Sequence, residues 1–271
     1  MAKFDGATGT IHYGHWTPAE PRALVVFLHG LGEHIGSYQP LFDTLTAAGI
    51  AVWALDHAGH GLSEGERVLV ERIDDLVDDA AQLLRLAHDA HPDLPVVLVG
   101  HSLGSSVATL LAAERLPRTD VHPVGLVLAG SSIVLADEPG GLVALLATGI
   151  DPMSLRKDPG ELTRNTAYAA YVRQDPLTWQ GGLRPQTLLA LAEAAPRLDA
   201  VVKSGALAGP VLFLHGEDDD LAPIAGAREA ARLLPEARLM AFPLDRHNIL
   251  NEIDRDQVYR VLTEFVLTVA E

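Results

Sequence analysis

The chain has 271 residues, of which 48% are hydrophobic and 21% are charged. This composition excludes a disordered protein, and the length suits one large α/β domain or a domain with an insertion. With 20 basic and 36 acidic residues the formal net charge is −16, which disfavours nucleic acid as a partner. The chain has no cysteine, so disulfides, Cys-ligated zinc and a thiol nucleophile are excluded.

The sequence shows neither a targeting signal nor a membrane span. Its first ten residues, MAKFDGATGT, lack the apolar segment of a signal peptide. The uncharged apolar stretch at residues 140–150 is much shorter than the roughly 20 residues that a bilayer requires. We therefore expect a cytoplasmic protein whose contact with membranes, if any, is peripheral.

Short apolar runs alternate with helical patterns along the chain. The runs are rich in Val and Leu without polar alternation, which is typical of parallel strands buried on both faces. Among the helical patterns, residues 70–91 are the clearest, with one apolar and one acidic stripe. The alternation predicts an α/β fold with a mostly parallel sheet. The predicted strands span residues 23–29, 50–56, 95–100, 125–129, 210–215 and 237–243.

The stretch at residues 133–206 interrupts this alternation. It contains no convincing strand, and prolines divide it into short helices. Its eight acids and seven bases give a net charge of about −1, so the remainder of the chain carries about −15. We interpret it as a helical insertion between two core segments, residues 1–132 and 207–271. The alternative is an ordinary run of helices within a single layer.

The sequence GHSLG at residues 100–104 matches the G-x-S-x-G pattern of a nucleophile elbow. It follows the predicted strand PVVLV and precedes a helical run, which is the context that the elbow requires. Such a turn exposes the hydroxyl of Ser102, and the flanking glycines avoid clashes there. We therefore predict Ser102 as a nucleophile, with a Gly-rich structural turn as the alternative.

A serine nucleophile needs a base and a carboxylate that orients the base. His247 follows the last predicted strand, and the segment HGEDDD at residues 215–220 follows the strand before it. Catalytic groups collect at the carboxyl ends of strands in open α/β sheets. The chain order Ser, Asp, His also agrees with such a fold. From the residues alone, the choice between Asp218, Asp219 and Asp220 stays open.

The segment HGLGEH at residues 29–34 follows another strand, where an oxyanion-hole loop belongs. Backbone N–H groups of Leu31 and Leu103 would point at the developing alkoxide, each contributing about 2.7–4 kcal/mol. The alternative is a plain Gly-rich turn. His57 and His60 suggest a metal pair only weakly, because no third ligand is apparent, and we predict no metal.

Five motifs in order resemble the monoacylglycerol lipase family, a branch of the α/β-hydrolases: HGLGEHIGSY, DHAGHGLSEGER, GHSLG, HGEDDDLAP and RHNILNE. The resemblance runs from about residue 4 to the C-terminal helix and is weakest in the insertion. It implies an α/β-hydrolase fold, with the insertion as a helical cap. It places the nucleophile at Ser102, the acid at Asp219, the base at His247 and the oxyanion donors at Leu31 and Leu103.

This sequence departs from the family pattern at Ser105, where a second glycine is usual, and at Arg246, which precedes the histidine. Within the cap, Arg164 and Asp175 match a family pattern and are interpreted as members of structural pairs. Four apolar cap residues could line an acyl tunnel or face lipid, with burial against the core as the alternative; they are Leu142, Leu145, Leu146 and Ile150.

The resemblance implies a serine hydrolase that cleaves monoacylglycerol to fatty acid and glycerol through an acyl-enzyme, with no cofactor. The near-neutral cap and the anionic core favour a small uncharged ester or lipid as substrate, with transient contact between cap and lipid. The alternatives are a carboxylesterase, lysophospholipase or thioesterase with another acyl substrate. A more distant one is a binding protein on an inactive hydrolase scaffold.

Overall fold

The fold is organised around an eight-stranded sheet. The computed structural model describes residues 2–131, 133, 149–207 and 209–271. The strands are β1 (Ala2–Asp5), β2 (Thr10–Trp16), β3 (Ala23–Leu28), β4 (Ile50–Leu55), β5 (Val96–His101), β6 (Gly125–Ala129), β7 (Val211–Gly216) and β8 (Ala237–Phe242). Their order is β1-β2-β4-β3-β5-β6-β7-β8. The β1–β2 and β2–β4 pairs are antiparallel, and all other neighbours are parallel.

The six predicted strands are present, each within one residue of its predicted ends, and the α/β prediction is confirmed. In β3 every side chain is fully buried: Val25 and Phe27 face one apolar core, while Leu24 and Val26 face the other. Burial on both faces explains the absence of polar alternation. β8 differs, because it lies at the edge of the sheet and Met240 is 41% exposed.

Helices cover both faces of the sheet. One core contains apolar side chains of α1 (Gln39–Ala47) and of the C-terminal helix (Arg255–Val269). The opposite core contains those of α2 (Ile73–Ala90) and α3 (Leu103–Leu110). The predicted apolar stripe of α2 is buried there, so the amphipathic pattern identified the buried face of this helix correctly.

Three α-helices lie between β6 and β7 in the described part of the chain: α4 (Pro159–Leu162), α5 (Thr166–Gln174) and α6 (Pro185–Lys203). The expectation of short helices is wrong for α6, which has 19 residues. Its Pro185 is accommodated because the first turn of a helix needs no N–H donor there. Pro196 lies inside the same helix. The division into core and cap at residues 133 and 206 stays a prediction.

Two further helices follow β7 in the chain, α7 (Ile224–Leu233) and α8 (Arg255–Val269). α7 packs beside β7 and β8, and α8 packs against α1 on the other face. Together they frame the loops that follow β7 and β8. Across the residues that the structure describes, no helix is both long enough and apolar enough to cross a membrane.

Candidate active site

Ser102 lies at a strained turn between β5 and α3. Its φ of 50° and ψ of −117° belong to a region that non-glycine residues rarely adopt. A Cβ on Gly100 would lie 2.3 Å from the Gly104 carbonyl oxygen, and one on Gly104 would lie 2.0 Å from that of Leu28. Only glycine therefore fits at these two positions. The close backbone contacts at Gly100 and Gly104 hold Ser102 at the turn between β5 and α3, where its side chain is partly exposed.

We expect Gly104→Ala to prevent folding or to lower stability by more than the about 1–3 kcal/mol typical of overpacking. The added methyl would meet the backbone of Leu28, which cannot move aside as a flexible side chain can. Gly205→Ala is the comparison variant: a Cβ added there would have no heavy atom within 4 Å, so only the backbone strain at its φ of +68° remains, which costs about 1–2 kcal/mol and should be the smaller loss. Equal melting temperatures for the two variants would contradict this account of the elbow.

The structure brings Ser102, His247 and Asp219 into one hydrogen-bonded chain. His247 Nε2 lies 2.9 Å from Ser102 Oγ, and His247 Nδ1 lies 2.9 Å from Asp219 Oδ2. His247 and Asp219 are buried, with 4% and 5% exposure. With the Nδ1 proton donated to the carboxylate, Nε2 is free to accept the proton of Ser102. The arrangement can therefore activate the hydroxyl as a nucleophile.

The three adjacent aspartates have different surroundings. Asp219 Oδ1 accepts the backbone N–H groups of Leu221 and Ala222 at 3.0 and 2.8 Å. Asp218 and Asp220 are exposed, and Asp220 pairs with Lys157. Burial opposes ionisation of Asp219, but His247, the neighbouring His215 and the backbone donor of Ala222 outweigh it and hold the pKa of this carboxyl well below its usual range. Asp219 is thus ionised and directed at His247.

Leu31 and Leu103 lie on the two loops that border Ser102. Leu103 is the first residue of α3, so its N–H has no acceptor in a preceding turn. The α3 N-terminus also favours negative charge. Leu31 follows β3 in the turn before Gly32, which has a φ of +80°. Ser105 donates its hydroxyl to the Ser102 carbonyl at 2.6 Å, so this departure from the family adds a hydrogen bond to the elbow. The oxyanion role of the two amides stays a prediction.

A buried polar network beside the elbow was missed by sequence reasoning. Glu33 Oε2 accepts hydrogen bonds from the Tyr38 hydroxyl, from Gly30 N at 2.9 Å and from His101 Nδ1 at 3.0 Å. His101 Nε2 donates to the His247 carbonyl at 3.1 Å. Glu33 and His101 both lie in recognised motifs. They are 68 positions apart in the sequence, so no local sequence pattern could predict that they form a pair.

Glu33 and His101 form a charged pair inside the protein. Burial raises the pKa of Glu33, but the charge and hydrogen bond of His101 outweigh it and bring that pKa to about 2. Burial lowers the pKa of His101, yet Glu33 raises it by more. The pair connects the loop after β3, the elbow and the His247 backbone, and so fixes their relative positions.

His29, His57 and His60 form a buried cluster below the loop after β3. Burial lowers the pKa of His57 to about 3 and that of His60 to about 4, so both are neutral. His29 Nε2 accepts the His57 N–H at 3.0 Å, and its Nδ1 donates to the Gly30 carbonyl at 2.7 Å. His29 therefore shapes this loop. Within the described ranges, His, Asp and Glu form no group of three or more that could hold a metal.

The predicted acyl-site residues Leu142, Leu145 and Leu146 lie outside the described residues. Ile150 is described and is 48% exposed. Their role in substrate binding stays a prediction.

Contacts of Arg164, Asp175 and Arg246 each join the segment between β6 and β7 to the loop after β3 or the loop after β8. Asp175 Oδ2 accepts a hydrogen bond from His34 Nε2 at 2.6 Å, beside the loop after β3. Arg164 binds acidic groups of the loop after β8. Arg246 Nη1 donates to the Gly160 carbonyl at 2.6 Å, which explains an arginine next to His247.

The chain is similar to known hydrolases in sequence and in fold. The family model described as serine aminopeptidase, S33, matches residues 19–254. The monoacylglycerol lipase of Mycolicibacterium smegmatis is 32% identical over 98% of this chain and 96% of its own length. The human monoglyceride lipase is 34% identical over 79% of this chain and 71% of its own. The crystal structure of Paleococcus ferrophilus monoacylglycerol lipase has a TM-score of 0.78 at 25% identity, covering 96% of this chain and 99% of that one.

The family match, the relatives and the fold agree with the expectation drawn from the five motifs. The chain belongs to the serine aminopeptidase S33 family of α/β-hydrolases, and it is a serine ester hydrolase.

Proposed function

We propose that this chain hydrolyses uncharged monoacylglycerols to fatty acid and glycerol through an acyl-enzyme on Ser102. The observation that carries the proposal is the chain of two 2.9 Å contacts from Ser102 Oγ through His247 to Asp219. Ser102, the first member of this hydrogen-bonded series, lies at a strained elbow, and its hydroxyl is therefore accessible to a substrate carbonyl.

In the first half-reaction, Ser102 Oγ attacks the ester carbonyl while His247 Nε2 takes its proton. Asp219 holds the imidazole in the tautomer with hydrogen on Nδ1 and stabilises the imidazolium that forms. The backbone N–H groups of Leu31 and Leu103 bind the alkoxide of the tetrahedral intermediate. His247 then gives its proton to the departing glycerol oxygen.

In the second half-reaction, water attacks the acyl group on Ser102. His247 takes a proton from that water and returns one to Ser102 Oγ when the fatty acid leaves. The same base and donors therefore serve both steps.

Charge and similarity favour an uncharged glycerol ester. The formal net charge of −16 disfavours polyanionic substrates and anionic membrane surfaces. The relatives matched over most of the chain are named monoacylglycerol or monoglyceride lipases. We also propose transient contact of the cap with lipid, supported by exposed apolar side chains at Ile150, Met153 and Leu189.

A hydrolysis panel tests this substrate class. The purified chain is offered monoacylglycerols of two to eighteen carbons, p-nitrophenyl esters, lysophosphatidylcholine and an acyl thioester. We expect the highest kcat/KM on a medium- or long-chain monoacylglycerol, because each buried methylene contributes about 0.8 kcal/mol. A higher value on the lysophospholipid or the thioester would replace the proposed substrate by that one.

The variant Leu189→Asp separates lipid contact from chemistry in the same panel. Leu189 is 53% exposed on α6, so the change leaves the core intact. We expect slower hydrolysis of monoacylglycerol embedded in vesicles and an unchanged rate on soluble p-nitrophenyl acetate. Equal rates on vesicles for the variant and the wild type would contradict cap contact through α6.

A further inference from the structure

A short cap segment, residues 160–165, is joined to the loop that carries His247. The Asn248 N–H donates to the Leu162 carbonyl at 2.8 Å, so backbone meets backbone at the residue after His247. Further hydrogen bonds run from Arg246 Nη1 to the Gly160 carbonyl, and from Thr163 Oγ1 and Asn165 Nδ2 to the Asn251 carbonyl. This part of the cap is therefore bound to the loop at several points.

Arg164 is the charged centre of this junction. Its Nη2 contacts Asp245 and lies 3.2 Å from Asp254 Oδ1, and its Nε lies 3.5 Å from Glu252 Oε2. Its backbone N–H is 3.0 Å from both Glu252 oxygens. Asp245 and Glu252 are fully buried, so Arg164 is the cation that compensates them.

The charge of Arg164 stabilises the ionised forms of the three acids around it, Asp245, Glu252 and Asp254. Burial, together with Asp254 and Glu252, raises the pKa of Asp245 to about 7, even though Arg164 acts in the opposite direction. Removing the guanidinium would leave three carboxyl groups close together with one fewer opposing charge. Asp245 would then be held in its neutral form, and the Asp245 and Glu252 side chains would both lose the guanidinium contact that fixes their positions, so the loop that carries them would be held less firmly.

The junction reaches both candidate triad partners of Ser102. Asp245 lies two residues before His247, and its carbonyl accepts the Asp218 N–H at 2.9 Å, next to Asp219. Glu252 Oε1 accepts the Arg246 N–H at 3.0 Å, on the other side of the same loop. A displacement of Asp245 or Glu252 is therefore transmitted to the base and to the carboxylate that orients it.

We propose that Arg164 is a positioning residue for His247, so that a cap side chain sets the geometry of a base that belongs to the core. This inference rests on the proposed roles of Ser102 and His247. A misplacement of about 1 Å at a reacting group can cost about 100-fold in rate. Arg164 thus contributes to turnover without contacting the substrate.

The test measures kcat and KM on p-nitrophenyl acetate and the rate of inactivation by a small fluorophosphonate. For Arg164→Gln we expect kcat and the inactivation rate to fall together by about 10- to 100-fold, with KM unchanged. Arg164→Lys keeps the charge without the planar fork, so it should restore part of the loss. Arg232→Gln is the control and should react at the wild-type rate, since Arg232 pairs with Glu229 on the exposed surface of α7.

The outcomes separate this inference from the proposed function. A wild-type protein that the fluorophosphonate does not modify at Ser102 would overturn the proposed function itself. A labelled wild type, with a folded Arg164→Gln variant that reacts at the same rate, would overturn only the role of Arg164. If Arg164→Gln does not fold, Arg164→Lys is used, because it keeps the charge and removes the forked contacts of the guanidinium. An unchanged inactivation rate in folded Arg164→Lys would then overturn the inference.

Discussion

Ser102→Ala is expected to remove nearly all ester hydrolysis, with a fall in kcat on the order of 10⁶-fold. Ser102 Oγ is the atom within 2.9 Å of His247 Nε2, and alanine leaves nothing there to attack a carbonyl. The protein should stay folded, because the substitution removes one partly exposed oxygen and keeps the Cβ that the strained turn already accommodates. Kinetics on a soluble ester, together with the melting temperature, check both parts.

Ser106→Ala is the matched control for this experiment. Ser106 lies four residues further along, in helix α3, and is only partly buried. Its loss should leave hydrolysis within a few-fold of the wild type. Wild-type turnover in folded Ser102→Ala would overturn the mechanism, whereas an equally large loss in Ser106→Ala would mean that the helix, and not the nucleophile, had been damaged.

The sequence alone predicted the features that follow from local pattern. Strands buried on both faces have continuous apolar runs, so β3 to β8 were found within one residue of their ends. The elbow at Ser102 was recognisable because its glycines and its strand–helix context are contiguous in the chain. His247 was predicted as the base from chain order and its position after the last strand, and the structure places its Nε2 2.9 Å from Ser102 Oγ. Each of these predictions depended on residues that lie close together in sequence.

Long-range polar contacts could not be predicted in this way. Glu33 and His101 were both visible in motifs, but their pairing depends on β3 and β5 being neighbours in the sheet. Arg164 was expected in a structural pair, and the structure shows three acids around it, all from the loop after β8 and its continuation. Such pairs are determined by the tertiary arrangement of strands and loops, which the periodicity of apolar residues does not predict.

The choice among the three aspartates shows where a resemblance adds to the pattern. The residues themselves left Asp218, Asp219 and Asp220 open, and only the spacing of the family motif selected Asp219. In the structure Asp219 is buried and accepts a hydrogen bond from His247 Nδ1, while Asp218 and Asp220 are exposed. Loop conformation decides this difference, because successive side chains of the loop point in different directions.

Asp219→Asn is expected to lower kcat by roughly 10⁴-fold. Asp219 Oδ1 accepts two backbone N–H groups, so the amide oxygen of asparagine would occupy that position and its NH₂ would replace Oδ2. The NH₂ group is a donor, so His247 Nδ1 must become an acceptor and the imidazole proton must move to Nε2. With hydrogen on Nε2, the base cannot take the proton of Ser102. Most of the loss should appear in kcat, because no substrate contact is removed.

Asp218→Asn and Asp220→Asn are the controls, and both should remain within about tenfold of the wild type. Asp218 is exposed, and the Asp220–Lys157 pair lies at the surface, where an ion pair contributes little. Their carboxylates make no contact with His247 in the structure, whereas Asp219 Oδ2 lies 2.9 Å from its Nδ1. If one of these two variants loses 10⁴-fold while Asp219→Asn stays active, the carboxylate that orients His247 has been assigned to the wrong residue. If all three stay active, the imidazole is oriented chiefly by the backbone hydrogen bonds that hold the His247 loop.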